Sequence, residues 1–426
     1  MKKLSLTLLT LLTLGANAQN VTIPDANFKS YLVGNANINL NHDTEIQINE
    51  AISYTGTIKC SNKNISDLTG IESFKLLTKL DCSNNDLVSL NTSSNLALTS
   101  ILCDNNKITN LDFSSNVILK QLWCGQNKLV TLNVSSNSFL NELWCHNNLL
   151  TNLDVTSNVN LKNLYCNFNQ LGTLDISNNT SLIGLTCSHN KLTSLDISSN
   201  TALTSILCNN NKITSLDVSS NTNLVQLNCN HNQLGTLNVS SNTNLLELYC
   251  NINELLNLDV SSNTKLKKIH CQFNLITNLD ISSNTVLKEL YVQNNQLVTL
   301  NIANSNNVNF SVFDATDNLN LVCIQIDGGG FTPPTNNWYK DVAANYNENC
   351  TLGLQEDLDK QHLGFYPNPV SETLYFDKIL SNIFIYSAQG KLMGEYSSLN
   401  HLDISNYSAG IYLIKSDNLQ SQFVVK

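Results

Sequence analysis

From Leu77 to Asn301 the chain repeats one pattern of apolar and polar positions, L-x-x-L-x-C-x-x-N-x-L-x-x-L-D/N-V/I-S-S-N. In one unit Leu119, Leu122, Cys124, Leu129, Leu132 and Val134 are the apolar positions, and Asn127, Asn133 and Asn137 hold the polar ones. The L-x-C segment alternates with period two, which predicts a short strand with one buried face. Cys82, Cys103, Cys124, Cys145, Cys166, Cys187, Cys208, Cys229, Cys250 and Cys271 follow at intervals of 21, Cys60 precedes Cys82 by 22, and Val292 takes the next place. A fixed period of this length is the signature of a solenoid, whose turns bury their apolar faces only against their neighbours. Twelve or thirteen turns at the strand spacing of about 4.8 Å predict a rod on the order of 60 Å long. Twenty-one residues leave no room for a full helix after the strand, so the return path should be extended or 3₁₀.

Two polar files run through the repeat. Asn stands three residues after the cysteine position in every turn from Asn85 to Asn295. Buried amides need partners, so these side chains should bond the turn backbones of adjacent rungs. Asp112, Asp154, Asp175, Asp196, Asp217, Asp259 and Asp280 form the second file, with Asn133, Asn238 and Asn301 interspersed. Free exchange of Asn for Asp favours local backbone capping over a calcium-binding file.

The repeat is flanked by segments of different character. Residues 1–18 read as a signal peptide: Lys2 and Lys3 precede the apolar run Leu4–Leu14, and Ala16-Asn17-Ala18 gives a cleavage site. Residues 19–56 should cap the first rung, with a short helix over residues 23–32 that has Pro24 at its start. Asn39, Asn41, Asp43, Gln47 and Glu50 then fall at EF-hand-like ligand spacing, which makes calcium the one cofactor to consider. Asn39 replaces the usual first Asp and Thr44 the turn glycine, so a loop that kept its shape without the ion is the favoured reading. Residues 57–327 are the solenoid and 328–350 its C-terminal cap. A charged linker, 351–362, leads to a β-rich segment, 363–426, with strands expected at Thr373–Phe376, Ile383–Tyr386, Gly410–Lys415 and Gln422–Lys426 and a turn at Ala388-Gln-Gly-Lys.

Composition narrows the function. The net charge of −10 argues against nucleic acid and against an anionic membrane surface. No later segment is apolar for long enough to span a bilayer, so no membrane span is expected in the mature chain. The thirteen cysteines invite a disulfide reading in an exported chain. The repeat cysteines occupy an inward place that Val292 can fill, and in-register neighbours sit farther apart than a disulfide prefers. They should be small buried hydrophobes. Cys323 and Cys350 lie outside the repeat and are expected to pair, pinning the cap.

The repeat resembles the leucine-rich repeat family, in its short bacterial form with cysteine in the strand. That resemblance implies a right-handed, mainly β solenoid with little helix, a parallel sheet on its concave face, and a role in protein or ligand binding. Residues Tyr366-Pro367-Asn368-Pro369, Gly390-Lys391, Leu402-Asp403-Ile404-Ser405, Gly410-Ile411-Tyr412-Leu413-Ile414-Lys415 and Val425-Lys426 resemble the C-terminal sorting domain of the bacterial type IX secretion system. This second resemblance implies an antiparallel β-sandwich, contact with the secretion machinery, and a mature protein at the cell surface or in the medium. The alternative for this segment is a generic β-sandwich binding module.

The residue before each repeat cysteine should face outward: Lys59, Asp81, Leu102, Trp123, Trp144, Tyr165, Thr186, Leu207, Asn228, Tyr249, His270 and Tyr291. Two aromatic clusters stand out, Trp123, Trp144 and Tyr165, then Tyr249, His270 and Tyr291, with His146, Asn167, Phe168, His189 and His231 nearby. Cross-strand packing alone can account for aromatic pairs. Yet two of the three tryptophans in the chain are adjacent on a solvent face, where rigid aromatics anchor partners. The expected function is therefore adhesion to a surface protein or glycan, without catalysis. No phosphate loop, zinc-type cluster or nucleophile elbow is present. A structural spacer without a specific ligand is the alternative, and an exported hydrolase ranks behind it.

Overall fold

The computed structural model describes residues 19–350, 365–367, 369–387, 391–416 and 419–426. The signal-peptide and linker readings, Asn368 and Gly390 lie outside the described residues. Two compact units, Met1–Asn349 and Cys350–Lys426, divide the chain.

In the first unit a fourteen-stranded parallel sheet runs from Thr57–Lys59 to Trp338–Lys340. Most of its strands are three residues long, and every rung pairs in register with the next, as in Gln121↔Glu142, Leu122↔Leu143 and Trp123↔Trp144. The central leucine or isoleucine and the following cysteine are buried, and the residue between them is half-buried and outward. This is the period-two alternation of a sheet with one face in the core. The return path holds no α-helix: Asn278–Asp280, Thr299–Asn301, Cys323–Gln325 and Asn345–Asn347 form a second, four-stranded parallel sheet. Earlier rungs make single bridges at the same place, Asn91↔Asp112, Asp112↔Asn133 and Asn133↔Asp154. Residues 328–350, expected as a cap, extend both sheets by one strand each, through Trp338–Lys340 and Asn345–Asn347.

The asparagine file is a continuous hydrogen-bond ladder. The Asn148 Nδ2 donates to the carbonyls of Cys124 (3.0 Å) and Cys145 (3.1 Å), and its Oδ1 accepts from the Leu129 N–H (3.0 Å). A second buried file, Asn95, Asn116, Asn137, Asn158, Asn179, Asn200, Asn221, Asn242, Asn263 and Asn284, occupies the last position of the S-S-N turn. Asn158 there donates to the carbonyls of Val134 and Asn137, both at 2.9 Å. The Asp file caps its own turns: Asp175 and Asp196 each accept from the backbone N–H and hydroxyl of the serine two residues on, and Asn133 does the same for the N–H of Ser135. Those hydrogen bonds hold the Asp175 and Asp196 carboxyls below their ordinary value.

The N-terminal helix spans Ala26–Val33. Pro24 lies outside it, and Asp25 is the N-cap, accepting from the N–H groups of Asn27 and Phe28. The other Asp25 oxygen accepts from the Ser66 N–H and hydroxyl, which ties the helix start to the first rung. A second helix, Ile48–Ser53, follows the loop.

The second unit is a five-stranded antiparallel sheet. The strands expected at Thr373–Phe376 and Ile383–Tyr386 are one strand, Thr373–Ser387, because the intervening residues stay extended through a register shift against Leu392–Asp403. That partner strand was not expected; its polar, irregular sequence hides the alternation. Gly410–Ser416 pairs with both Thr373–Ser387 and Leu419–Val425. The core holds Val370, Leu374, Ile383, Ile385, Tyr412, Ile414 and Phe423.

Candidate functional site

The outward column of the long sheet divides into two aromatic patches, separated by the rungs of Thr186, Leu207 and Asn228. In the first, the Trp123 and Trp144 rings stack with centroids 4.0 Å apart and planes 8° from parallel. Tyr165 lies against Trp144 at 4.8 Å, tilted by 53°. Stacking along the column takes up ring faces, and the indole Nε1 atoms of both tryptophans are buried without a hydrogen-bond partner. His146 approaches Trp144 edge-on at 6.3 Å. It rests where a side chain on Gly125 would collide with it, so this glycine seats the imidazole. Burial there holds His146 below the ordinary imidazole value.

In the second patch His270 sits between Tyr249 (4.8 Å) and Tyr291 (4.6 Å), and both rings meet the imidazole in T-shaped contacts. Burial pushes the Tyr249 hydroxyl up to about 12, helped by Glu247, to which it donates at 3.2 Å.

Beside each patch runs a polar chain in the strand position three residues before the cysteine. The Ser100 hydroxyl donates to Gln121, whose amide donates to Glu142. Five rungs further along, Ser205 donates to Gln226, whose amide donates to Glu247. Sequence reading passed over this column because its residues share no type; only their common register joins them.

A further file was also missed. The position two residues after each repeat cysteine is left-handed, with φ between 50° and 57° from Asn62 through Asp317 along the rungs. Asn fills many of these places, as expected of a residue that tolerates this conformation. Gln126, Phe168, Ile252 and Phe273 do not fit that preference. Phe168 and Phe273 are exposed, and Phe168 stacks on His189 at 4.0 Å.

The EF-hand-like loop is closed by its own hydrogen bonds. Asp43 Oδ2 accepts from the side-chain amides of Asn41 (2.9 Å) and Gln47 (2.8 Å). Glu50 is buried and accepts from the N–H groups of Leu40, Asn41 and Gln47, so it serves as a capping residue of the second helix. Asn39 donates to the carbonyls of Val33 and Asp43. The left-handed residue of the loop is His42, at φ 59°, and Thr44 escapes the strain its position suggested. The amide oxygens of Asn41 and Gln47 are also taken up within the loop, accepting from the Asp43 N–H and from the Asn41 amide.

The eleven repeat cysteines are free and buried, and Cys323 and Cys350 are disulfide-bonded. Burial pushes the Cys145 and Cys208 thiols up to about 12. Among the described residues no group of three or more His, Cys, Asp or Glu is arranged to hold a metal, and no helix is long and apolar enough to cross a membrane.

The sorting-motif residues gather in the C-terminal sheet. Tyr366 is exposed and stacks on Tyr375 at 5.8 Å. Pro367 and Pro369 flank Asn368 just ahead of buried Val370, whose N–H donates to the Val424 carbonyl. Gly410 and Ile411 pair with Val425 and Val424, and the buried Tyr412 stacks on Phe423 at 5.6 Å.

Residues 364–426 match the family model of the secretion system C-terminal sorting domain. No curated protein matches the chain in sequence. Among solved structures, the functional domain of InlJ from Listeria monocytogenes, which includes a cysteine ladder, is 26% identical, with a TM-score of 0.59 over 96% of this chain and 98% of that one. The internalin InlF from the same organism is 21% identical, with a TM-score of 0.56 over 66% of this chain and 94% of that one. The leucine-rich repeat domain of APL1B is 19% identical, with a TM-score of 0.52 over 61% of this chain and 81% of that one. These last two share the fold alone. The chain is a leucine-rich-repeat solenoid that carries a type IX C-terminal sorting domain and is exported to the cell surface or beyond.

Proposed function

We propose that the exported protein is an adhesin-like binding module that recognises a protein partner through the outward face of its long sheet, without catalysis. The observation that carries this reading is the Trp123–Trp144 stack, two large aromatic side chains half-exposed on a solvent face. A spacer needs no such investment, because the leucines, cysteines and asparagines already hold the rungs together. A glycan partner is the weaker alternative: sugar stacking needs a free ring face, and Trp144 is held between Trp123 and Tyr165. Protein partners engage edges and crevices of such anchors equally well. In this reading the sorting domain serves delivery, through contact with the secretion machinery.

The test is a protein and glycan array probed with the exported chain and with Trp123→Ala/Trp144→Ala. Both proteins should keep their β-sheet circular dichroism, and the double variant should lose its protein hits by at least tenfold. Equal binding by both would return the tryptophans to a packing role.

A further inference from the structure

The second aromatic patch differs from the first in chemistry. Its flanking column reads Glu247, Lys268, Glu289 on three adjacent strands. Lys268 Nζ lies 3.9 Å from Glu247 and 3.5 Å from Glu289, beyond good hydrogen-bond distance to either. Two carboxylates thus share one loosely held ammonium, leaving a surplus negative charge on a half-exposed surface. Glu289 also reaches His270 Nε2 at 3.6 Å. The T-shaped contacts of Tyr249 and Tyr291 with His270 leave these rings unstacked, unlike the tryptophans. Surplus carboxylate and tyrosine rings converge on one kind of group, a planar cation with several donors.

We propose that the patch formed by Glu247, Glu289, Tyr249 and Tyr291 seats the guanidinium of an arginine presented by the protein partner. The proposal rests on the reading that this face binds protein. A guanidinium can bridge carboxylates through paired N–H donors and lie on an aromatic ring at the same time, which a lysine ammonium does less well. Lys268 is the built-in competitor. The incoming arginine displaces it from between the glutamates, and its long stem can swing to solvent. His270 adds a pH dependence. The charged and titratable groups facing it are Glu247 and Tyr249 on one neighbouring strand, Lys268 on its own, and Glu289 and Tyr291 on the other. Burial holds its imidazole below the ordinary value, against the pull of Glu289, so it is neutral at pH 7. Protonation at lower pH places a cation at the site and opposes arginine.

The test titrates an acetylated tetra-arginine peptide into the exported chain by calorimetry, with the tetra-citrulline peptide as the neutral isostere. Tetra-arginine should bind and tetra-citrulline should not. Glu289→Gln should weaken binding about fivefold and Lys268→Met should tighten it about fivefold, the size expected of one half-exposed charge pair. Asp175→Asn, on the distant capping file, should leave it within twofold. Binding should weaken as the pH falls from 7 to 5, and His270→Gln should flatten that profile. Equal binding of the two peptides, or a Lys268→Met variant that binds no tighter, overturns the proposal. If tetra-arginine fails while the tryptophan variant still loses its protein hits, the arginine site is wrong and the binding face stands.

Discussion

Replacing Asn148 with alanine tests whether the buried amides hold the rungs together. The side chain donates to the carbonyls of Cys124 at 3.0 Å, Cys145 at 3.1 Å and His146 at 3.2 Å, and accepts from the Leu129 N–H at 3.0 Å. Alanine strands a buried N–H, at about 1–3 kcal/mol, and removes bonds to carbonyls at about 1 kcal/mol or less each. The expected loss is therefore about 3–5 kcal/mol. Asn158→Ala is the control within the same molecule. It removes two carbonyl bonds but also deletes a buried Oδ1 that has no partner, so part of the loss is offset and about 1–2 kcal/mol is expected. Because each rung touches only its neighbours, the damage should stay local. Hydrogen exchange read by mass spectrometry should show protection lost in peptides spanning residues 103–169 and retained around Val292. Equal costs for the two variants, or a uniform loss along the rod, would refute the ladder as the source of rung cohesion.

Other outcomes follow from the same geometry. Ile252→Asn should stabilise its rung by about 1 kcal/mol in exchange or denaturant experiments, since a β-branched residue is held at φ 54° where Asn is at ease. Native protein at pH 8 should show no thiol reactive toward a maleimide, because burial pushes Cys145 and Cys208 up to about 12 and hides the rest; after denaturation eleven should react, and mapping that finds Cys323 and Cys350 among them without reductant contradicts the disulfide. Calcium at millimolar concentration should leave the melting temperature within 1 °C, roughly the resolution of the measurement, because Asp43 and Glu50 are already satisfied by N–H donors. A larger shift would mean that the ion displaces these internal hydrogen bonds.

What could be read from the sequence divides along a physical line. Features set by strict period were legible: the inward leucine and cysteine columns, the Asn148-type ladder, the capping Asp file and the outward aromatics all repeat at fixed offsets. Features set by register between unlike residues were not. Ser100, Gln121 and Glu142 form one hydrogen-bonded chain, yet nothing in their identities joins them until the strands are laid side by side. The Asn158-type file was visible as the last letter of the repeat, but its complete burial follows from how tightly the S-S-N turn folds beneath its neighbour. In the C-terminal unit the strand Leu392–Asp403 carries mostly polar, exposed residues, so its place is decided by pairing with Thr373–Ser387. The EF-hand-like spacing marks a loop whose left-handed residue is His42 rather than Thr44, and the donors that close it belong to amides whose orientation a spacing cannot specify.

This division bears on how the solenoid could acquire a binding face. Rung cohesion resides in the buried columns, and the outward columns contribute little to it, so surface chemistry can vary from rung to rung at small cost in stability. The left-handed file is the exception. There Asn is conformationally favoured, and each Phe or Ile costs on the order of 1 kcal/mol. Phe168 shares the rung of Tyr165, one along from Trp144, and Ile252 and Phe273 share rungs with Tyr249 and His270. Costly residues therefore gather at the edges of the same two patches that the aromatic column marks. A packing role predicts the opposite, because these exposed side chains add nothing to the core. Converting Phe168, Ile252 and Phe273 together to Asn separates the two accounts: the rod should become more stable while its protein binding weakens, and a variant that gains stability and keeps full binding would leave the aromatic columns as the whole of the site.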